Sequence, residues 1–183
     1  MLRLLLAALS LIAGSSASCI FDGSNLRNAS GHQVTCASLA GQSVALYFAG
    51  EWCPLCRRFT PALKEFYAQW HNDIALVFVS SDDSAEEAAQ HYQRQTSGLT
   101  WKFNWLELAW GDPLAAQLKR KHRVWSGREV ETFGYKRRSG VPCVAVIDPE
   151  GNELSFLQGE RHGAAVLREW EPNDRKTAWP DEL

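Results

Sequence analysis

Apolar positions along this chain follow two rhythms, and their alternation predicts strands and helices in turn. Residues 44–49 form a short apolar run typical of a buried strand. Ile74–Ser80 (Ile-Ala-Leu-Val-Phe-Val-Ser) is a β-branched and aromatic run that suits a central strand. Between them Phe59, Leu63, Phe66, Tyr67 and Trp70 recur at spacings of three and four, which predicts a helix over 57–70, kinked at Pro61. Ser84 and Glu87 make a capping box for a helix reaching about Arg94. Asp112 and Pro113 supply the N-cap and first position of another helix through about His122. Residues 141–147 and Glu153–Leu157 are two further strands joined by Asp148-Pro149-Glu150-Gly151-Asn152, so they are expected to pair as a hairpin. Residues 163–170 close with a short helix. This order predicts an α/β fold with a mixed central β-sheet flanked by helices.

Length and composition set the outer bounds. The 183 residues are 45% hydrophobic, ample for one core, and no repeat, low-complexity tract or linker marks a second domain. A net charge of −2 argues against a nucleic-acid binder. The start, Met1-Leu2-Arg3 followed by apolar residues 4–8 and 11–13 and small residues 14–18, reads as a secretory signal peptide over 1–18, the alternative being a short membrane anchor. No later segment is long enough to cross a membrane, so stable membrane insertion is not expected. Residues 19–38 are then an N-terminal extension, 39–175 the folded domain and 176–183 a tail. Five cysteines in an exported chain point to an oxidising compartment, and the odd count leaves one without a mate. Cys19 and Cys36 flank a turn-rich segment and suit either a structural disulfide, stabilising by roughly 3 kcal/mol, or two separately used thiols. Asn28-Ala29-Ser30 is a glycosylation acceptor triplet.

The chemistry concentrates at Glu51-Trp52-Cys53-Pro54-Leu55-Cys56-Arg57-Arg58, directly after the first predicted strand. A cysteine reacts as its thiolate, and the first turn of a helix offers unpaired N–H groups and the positive end of the helix dipole. Pro54 suits the first helical position. Arg57 and Arg58 add to thiolate stabilisation if they lie close, and Glu51 opposes it. By exchange chemistry Cys53 is the attacking thiolate and Cys56, one turn in, resolves the mixed disulfide. A zinc site is disfavoured because no second Cys-x-x-Cys exists and the histidines are scattered. No metal or cofactor is required. Between Lys119 and Arg138 eight Lys/Arg face two Glu. This segment either borders the site, drawing acidic substrates or an anionic thiol, or is a solvated helix face with a mobile loop. Trp101, Phe103, Trp105 and Trp110 suit core or loop packing better than a ligand platform.

The order strand, Trp52-Cys53-x-x-Cys56, kinked helix, strand, helix, then Gly140-Val141-Pro142 opening a hairpin resembles the thioredoxin fold. Residues 47–61 (Tyr-Phe-Ala-Gly-Glu-Trp-Cys-Pro-Leu-Cys-Arg-Arg-Phe-Thr-Pro) and Val77-Phe78-Val79-Ser80-Ser81-Asp82-Asp83 resemble its tryparedoxin and nucleoredoxin branch. The likeness runs from about Leu39 to Trp170 and is weak from Leu99 to Ser139. Leu55 departs from the Pro-Pro of that branch, and Tyr47 stands where thioredoxins carry a buried Asp, so proton transfer to Cys56 is left to water or Glu51. The resemblance implies that Pro142 is a cis-proline facing the dithiol, with Val141 offering backbone groups to an extended peptide. Trp52 is either an apolar platform beside Cys53 or core packing. Cys143 is either a small buried hydrophobe or a third redox thiol near the site. The expected function is thiol–disulfide exchange on protein disulfides, with a thiol or redox protein as electron donor. The alternatives are an isomerase or oxidase assisting folding, and a non-catalytic peptide-binding module. Pro180-Asp181-Glu182-Leu183 resembles an endoplasmic-reticulum retrieval signal with Pro in place of Lys, which favours that lumen over secretion or a bacterial periplasm.

Overall fold

Burial of both faces explains the centre of the molecule. In the computed structural model, which describes residues 19–100, 105–172 and 177–180, strand β2 (Ser43–Ala49) is buried at every position. It pairs parallel with β3 (Ile74–Ser80), from Ser43↔Ile74 to Ala49↔Ser80. On its other side it pairs antiparallel with β5 (Cys143–Ile147), from Val44↔Ile147 to Phe48↔Cys143. A strand covered by helices on both faces has no polar side to alternate, so its sequence is continuously apolar. Helix α1 (Pro54–Trp70) connects β2 to β3, and α2 (Ala85–Thr96) follows β3. The hairpin of β5 with β6 (Glu153–Leu157) forms as expected, with an irregularity between Val146 and Ile147. The sheet is mixed, as the sequence implied.

Two strands escape the periodicity. β4 (Trp105–Leu108) lies parallel on β3, and β1 (Leu26–Asn28) lies antiparallel on β4, giving the order β1-β4-β3-β2-β5-β6. Segments of three or four residues are too short to show a rhythm; their neighbours decide them. Leu26 is fully buried opposite Leu108, so the stretch 19–38, set apart above as an extension, contributes an edge strand to the sheet. Trp105 is fully buried within β4, in keeping with core packing. Trp101 and Phe103 lie outside the described residues, as do 1–18 and Asp181-Glu182-Leu183.

Three other segments depart from the expected boundaries. The first helix begins at Pro54, the first helical position read for it, three residues ahead of the 57–70 span, and runs through Pro61 as expected, although Pro61 cannot donate to the carbonyl of Arg57. The closing helix is a 3-10 turn over Gly163–Glu169 after α5 (Gly159–His162). The basic segment is folded. Helix α3 (Pro113–His122) stops at Arg123 in the left-handed conformation, φ 57°, and a 3-10 turn (Gly127–Glu129) and α4 (Val130–Phe133) follow. Lys119 is buried, donating to the Ser80 carbonyl at 2.6 Å and pairing with Glu129. The segment is thus folded and anchored at Lys119, while Arg120, Lys121, Arg123, Arg128, Lys136 and Arg138 stay exposed, so a solvated face describes most of its basic residues.

Both ends of the described chain lock onto the sheet. Cys19 and Cys36 form a disulfide (S–S 1.98 Å), and the Ile20 N–H donates to the Pro149 carbonyl at 2.7 Å. Near the C-terminus Ala178 bridges Ser43, and Trp179, 2% exposed, donates from Nε1 to the Ile147 carbonyl at 2.8 Å. Its ring stacks on Phe21 at 6.0 Å. Among the described residues, no helix is long and apolar enough to cross a membrane.

Candidate active site

The chain leaves β2 for β3 on one side and returns through β5 on the other, so a crevice forms beyond the carboxyl end of β2. Cys53 sits there as the N-cap of α1. Its backbone is extended (φ −81°, ψ 114°) and its sulfur accepts the Cys56 N–H at 3.1 Å. The thiol is only 4% exposed, and its Sγ lies 3.5 Å from the carbonyl of Val141. The Val141–Pro142 peptide bond is cis. The loop thus brings Cys53, Cys56, Val141 and Pro142 together. Gly159 closes this face: a Cβ there would stand 2.9 Å from both the Phe59 ring and the Pro142 carbonyl.

The two sulfurs are opposites electrostatically. A hydrogen bond from the Cys56 thiol, overcoming burial and helped by the Cys56 and Leu55 N–H groups and the Arg57 charge, lowers Cys53 to about 6. Burial, and next the donation of that same hydrogen bond, push Cys56 well above the ordinary thiol range. One thiolate is ready while its partner holds a proton. Tyr47 is fully buried, its hydroxyl 2.9 Å from Thr60 Oγ1, which donates to the Cys56 carbonyl at 2.8 Å. Burial drives the Tyr47 phenol far up, so it stays neutral. Cys143 is completely buried beside the cis-proline, and burial raises its thiol well above the ordinary value.

The turn before Cys53 is anchored from β3. Asp82 Oδ1 accepts the Glu51 N–H at 2.6 Å; Oδ2 accepts the Ser80 hydroxyl at 2.7 Å and lies 3.0 Å from His91 Nδ1. Burial opposes ionisation of Asp82, but His91, the Glu51 N–H and Ser80 together hold it below the usual carboxylate range. The Asp82 charge in turn helps hold the proton on Cys56. In the sequence, Asp82 stands out only through the likeness over residues 77–83, and nothing singles out His91. The available signal was a polar run at the carboxyl end of a central strand.

The remaining expected residues surround this core. Trp52 is half-buried, its Nε1 donating to the Ser81 carbonyl at 3.0 Å and its ring covered by the Arg128 guanidinium at 4.3 Å. Arg128 also pairs with Asp83 at 2.5 Å, so one side chain of the basic segment does border the dithiol. Arg57 donates to the Glu51 carbonyl at 2.8 Å, and the Glu51 carboxylate pairs with Arg94 at 3.1 Å. Asn28 is remote, half-buried in β1, its Oδ1 accepting the N–H groups of Ser30 (3.0 Å) and His32 (3.1 Å). Cys19 and Cys36 are equally remote, joined in their disulfide.

A helix-borne Cys-x-x-Cys facing a cis-proline over a mixed sheet defines the thioredoxin-like fold. A thioredoxin-like family model matches residues 41–153, and the chain belongs to that family. It is 30% identical over 128 residues to a probable nucleoredoxin 1 of Arabidopsis thaliana, covering 68% of this chain and 18% of that one. Its likeness to tryparedoxin of Trypanosoma brucei brucei is 41% over 70 residues, 37% of this chain and 48% of the relative. The match thus spans less than half of each relative's length. Among solved structures, Trypanosoma brucei tryparedoxin superposes with TM-score 0.56 at 27% identity, covering 86% of this chain and 92% of that one. Thioredoxin from Wuchereria bancrofti superposes with TM-score 0.53 at 30% identity, covering 80% and 87%.

Proposed function

We propose that this protein is a thiol–disulfide oxidoreductase that reduces or exchanges protein disulfides through Cys53 and Cys56. One observation carries the reading: a thiolate-stabilised Cys53 facing the cis Val141–Pro142 bond, with a protonated, buried Cys56 one helical turn away. The Cys53 thiolate attacks one sulfur of a substrate disulfide, forming a mixed disulfide and releasing the other sulfur as a thiolate. Cys56 then loses its proton and attacks Cys53, forming the Cys53–Cys56 disulfide and freeing the second substrate thiol. The two electrons return from a thiol or redox-protein donor. Extended substrate backbone lies against Val141 and Pro142, with Trp52 beside the reacting sulfurs. Tyr47 stays neutral, so the Cys56 proton leaves through water or Glu51.

Cys53→Ser is expected to abolish disulfide reduction, and Cys56→Ser to accumulate mixed disulfides. Retained turnover in Cys53→Ser would sink the assignment. The low Cys53 value also favours a second reading, an isomerase or oxidase assisting folding, because stabilising the thiolate stabilises the reduced form. The reduction potential separates them: about −270 mV indicates a reductase, about −180 mV a folding catalyst. The proposed setting is the secretory pathway, with the endoplasmic-reticulum lumen favoured by the terminal Asp-Glu-Leu and the Cys19–Cys36 disulfide in keeping with an oxidising compartment.

A further inference from the structure

On the β3 side of the dithiol, across β2 from the cis-proline, α1 and α2 enclose a groove of about 520 Å3. Its sequence neighbours are the redox residues themselves, since Glu51 and Arg57 bracket the Cys53–Cys56 turn. Three cations line it, Arg57, Lys64 and Arg94, against one carboxylate, Glu51. Only Arg94 meets that carboxylate, at 3.1 Å. Lys64 donates to the Ser97 carbonyl at 2.8 Å and Arg57 to the Glu51 carbonyl at 2.8 Å. Lys64 therefore holds uncompensated positive charge, Arg57 shares its charge with the Cys53 thiolate, and neither pairs with a carboxylate among the described residues.

A second observation specifies more than charge. Gln95 is 2% exposed, yet lines the groove. His91 Nδ1 lies 3.0 Å from the Asp82 carboxylate, and its Nε2 lies 2.8 Å from Gln95 Nε2, the amide nitrogen and not the oxygen. That leaves Gln95 Oε1 buried without a donor. An unpaired buried carbonyl is costly, and a ligand N–H relieves it. An extended peptide offers a backbone N–H, and an acidic side chain on it offers a carboxylate to Lys64 and Arg57, while Pro61 supplies apolar contact.

We propose that this groove docks an acidic segment of the substrate protein, apart from the strand of substrate held at Val141. The inference rests on the reading that protein disulfides are the substrate. It makes Lys64 and Gln95 determinants of which substrates are bound, with no part in the exchange chemistry.

The test is fluorescence anisotropy of a labelled Gly-Asp-Glu-Asp-Glu-Gly peptide against the full chain, beside its Asn/Gln analogue. Saturable binding is expected for the acidic peptide, weakening as salt rises from about 50 to about 500 mM. The Lys64→Glu variant, altered at a partly exposed position, should weaken it at least about tenfold. Binding should persist in Cys53→Ser, so failure of the redox reading leaves this result intact and the two remain distinguishable. For a disulfide peptide with an acidic flank, Lys64→Glu should raise KM and leave kcat unchanged. Equal affinity for the neutral analogue, unchanged affinity in Lys64→Glu, or no saturable binding up to about 1 mM overturns the proposal.

Discussion

Removing the Cys56 thiol tests the electrostatics of the site most directly. The largest contribution holding Cys53 at about 6, from an ordinary 9.0, is the hydrogen bond from the Cys56 side chain. A hydrogen bond to a charged acceptor contributes roughly 1.5–3 kcal/mol, and one pKa unit corresponds to about 1.4 kcal/mol. Cys56→Ala should therefore raise Cys53 by about one to two units, to about 7–8. It should not restore the ordinary value, because the Cys56 backbone N–H at 3.1 Å and Arg57 remain. Cys56→Ser keeps a donor and should stay near the parent value. At pH 7 the thiolate fraction then falls from about 90% to about 10–50% in Cys56→Ala. The assay is the rate of Cys53 alkylation by iodoacetamide across pH, with thiolate ultraviolet absorbance as a second readout. Stability provides a cross-check: a depressed thiol contributes fully above its unfolded value of 9.0 and loses its contribution as pH falls through about 6. At pH 7 the reduced protein should retain roughly 1.4 kcal/mol from this source. An alkylation midpoint in Cys56→Ala unchanged from the parent would refute the reasoning, since the thiol donor would then not be the main cause.

Three further perturbations probe the scaffold. Asp82→Ala strands the Glu51 N–H, the Ser80 hydroxyl and His91, so urea unfolding should show a loss of about 3–5 kcal/mol; a loss below about 1 kcal/mol would mean that the turn holds itself. Trp179→Ala removes a fully buried ring and its hydrogen bond to Ile147, and is expected to cost about 3–5 kcal/mol by the same measurement. A stable variant would detach the tail from the core. Replacing Cys19 and Cys36 together by Ser opens a crosslink separated by 17 residues in sequence and should cost about 3 kcal/mol, read from the shift in denaturation midpoint.

Where a local pattern specified an element, the sequence was sufficient. The continuous apolar runs of β2 and β3, the three–four spacing of α1, the Ser84 cap and the β5–β6 turn all act over a few neighbouring residues, and each element formed. Cys53 and Cys56 were legible for the same reason, because a helix start sets their environment locally. The short strands β1 and β4 were not, since three or four residues carry no period and pairing across the sheet decides them. Asp82 and His91 stayed hidden because their roles depend on β3 ending beside the turn that follows β2. Folding of the basic segment likewise depended on Lys119 and Arg128 reaching Ser80 and Trp52, residues 39 and 76 positions away in the chain. The sequence by itself determined the dithiol and the helix that activates it. Only the tertiary structure decided which distant groups anchor that turn, face it with the cis-proline and line the cationic groove, because parallel β2 and β3 end at the same edge of the sheet.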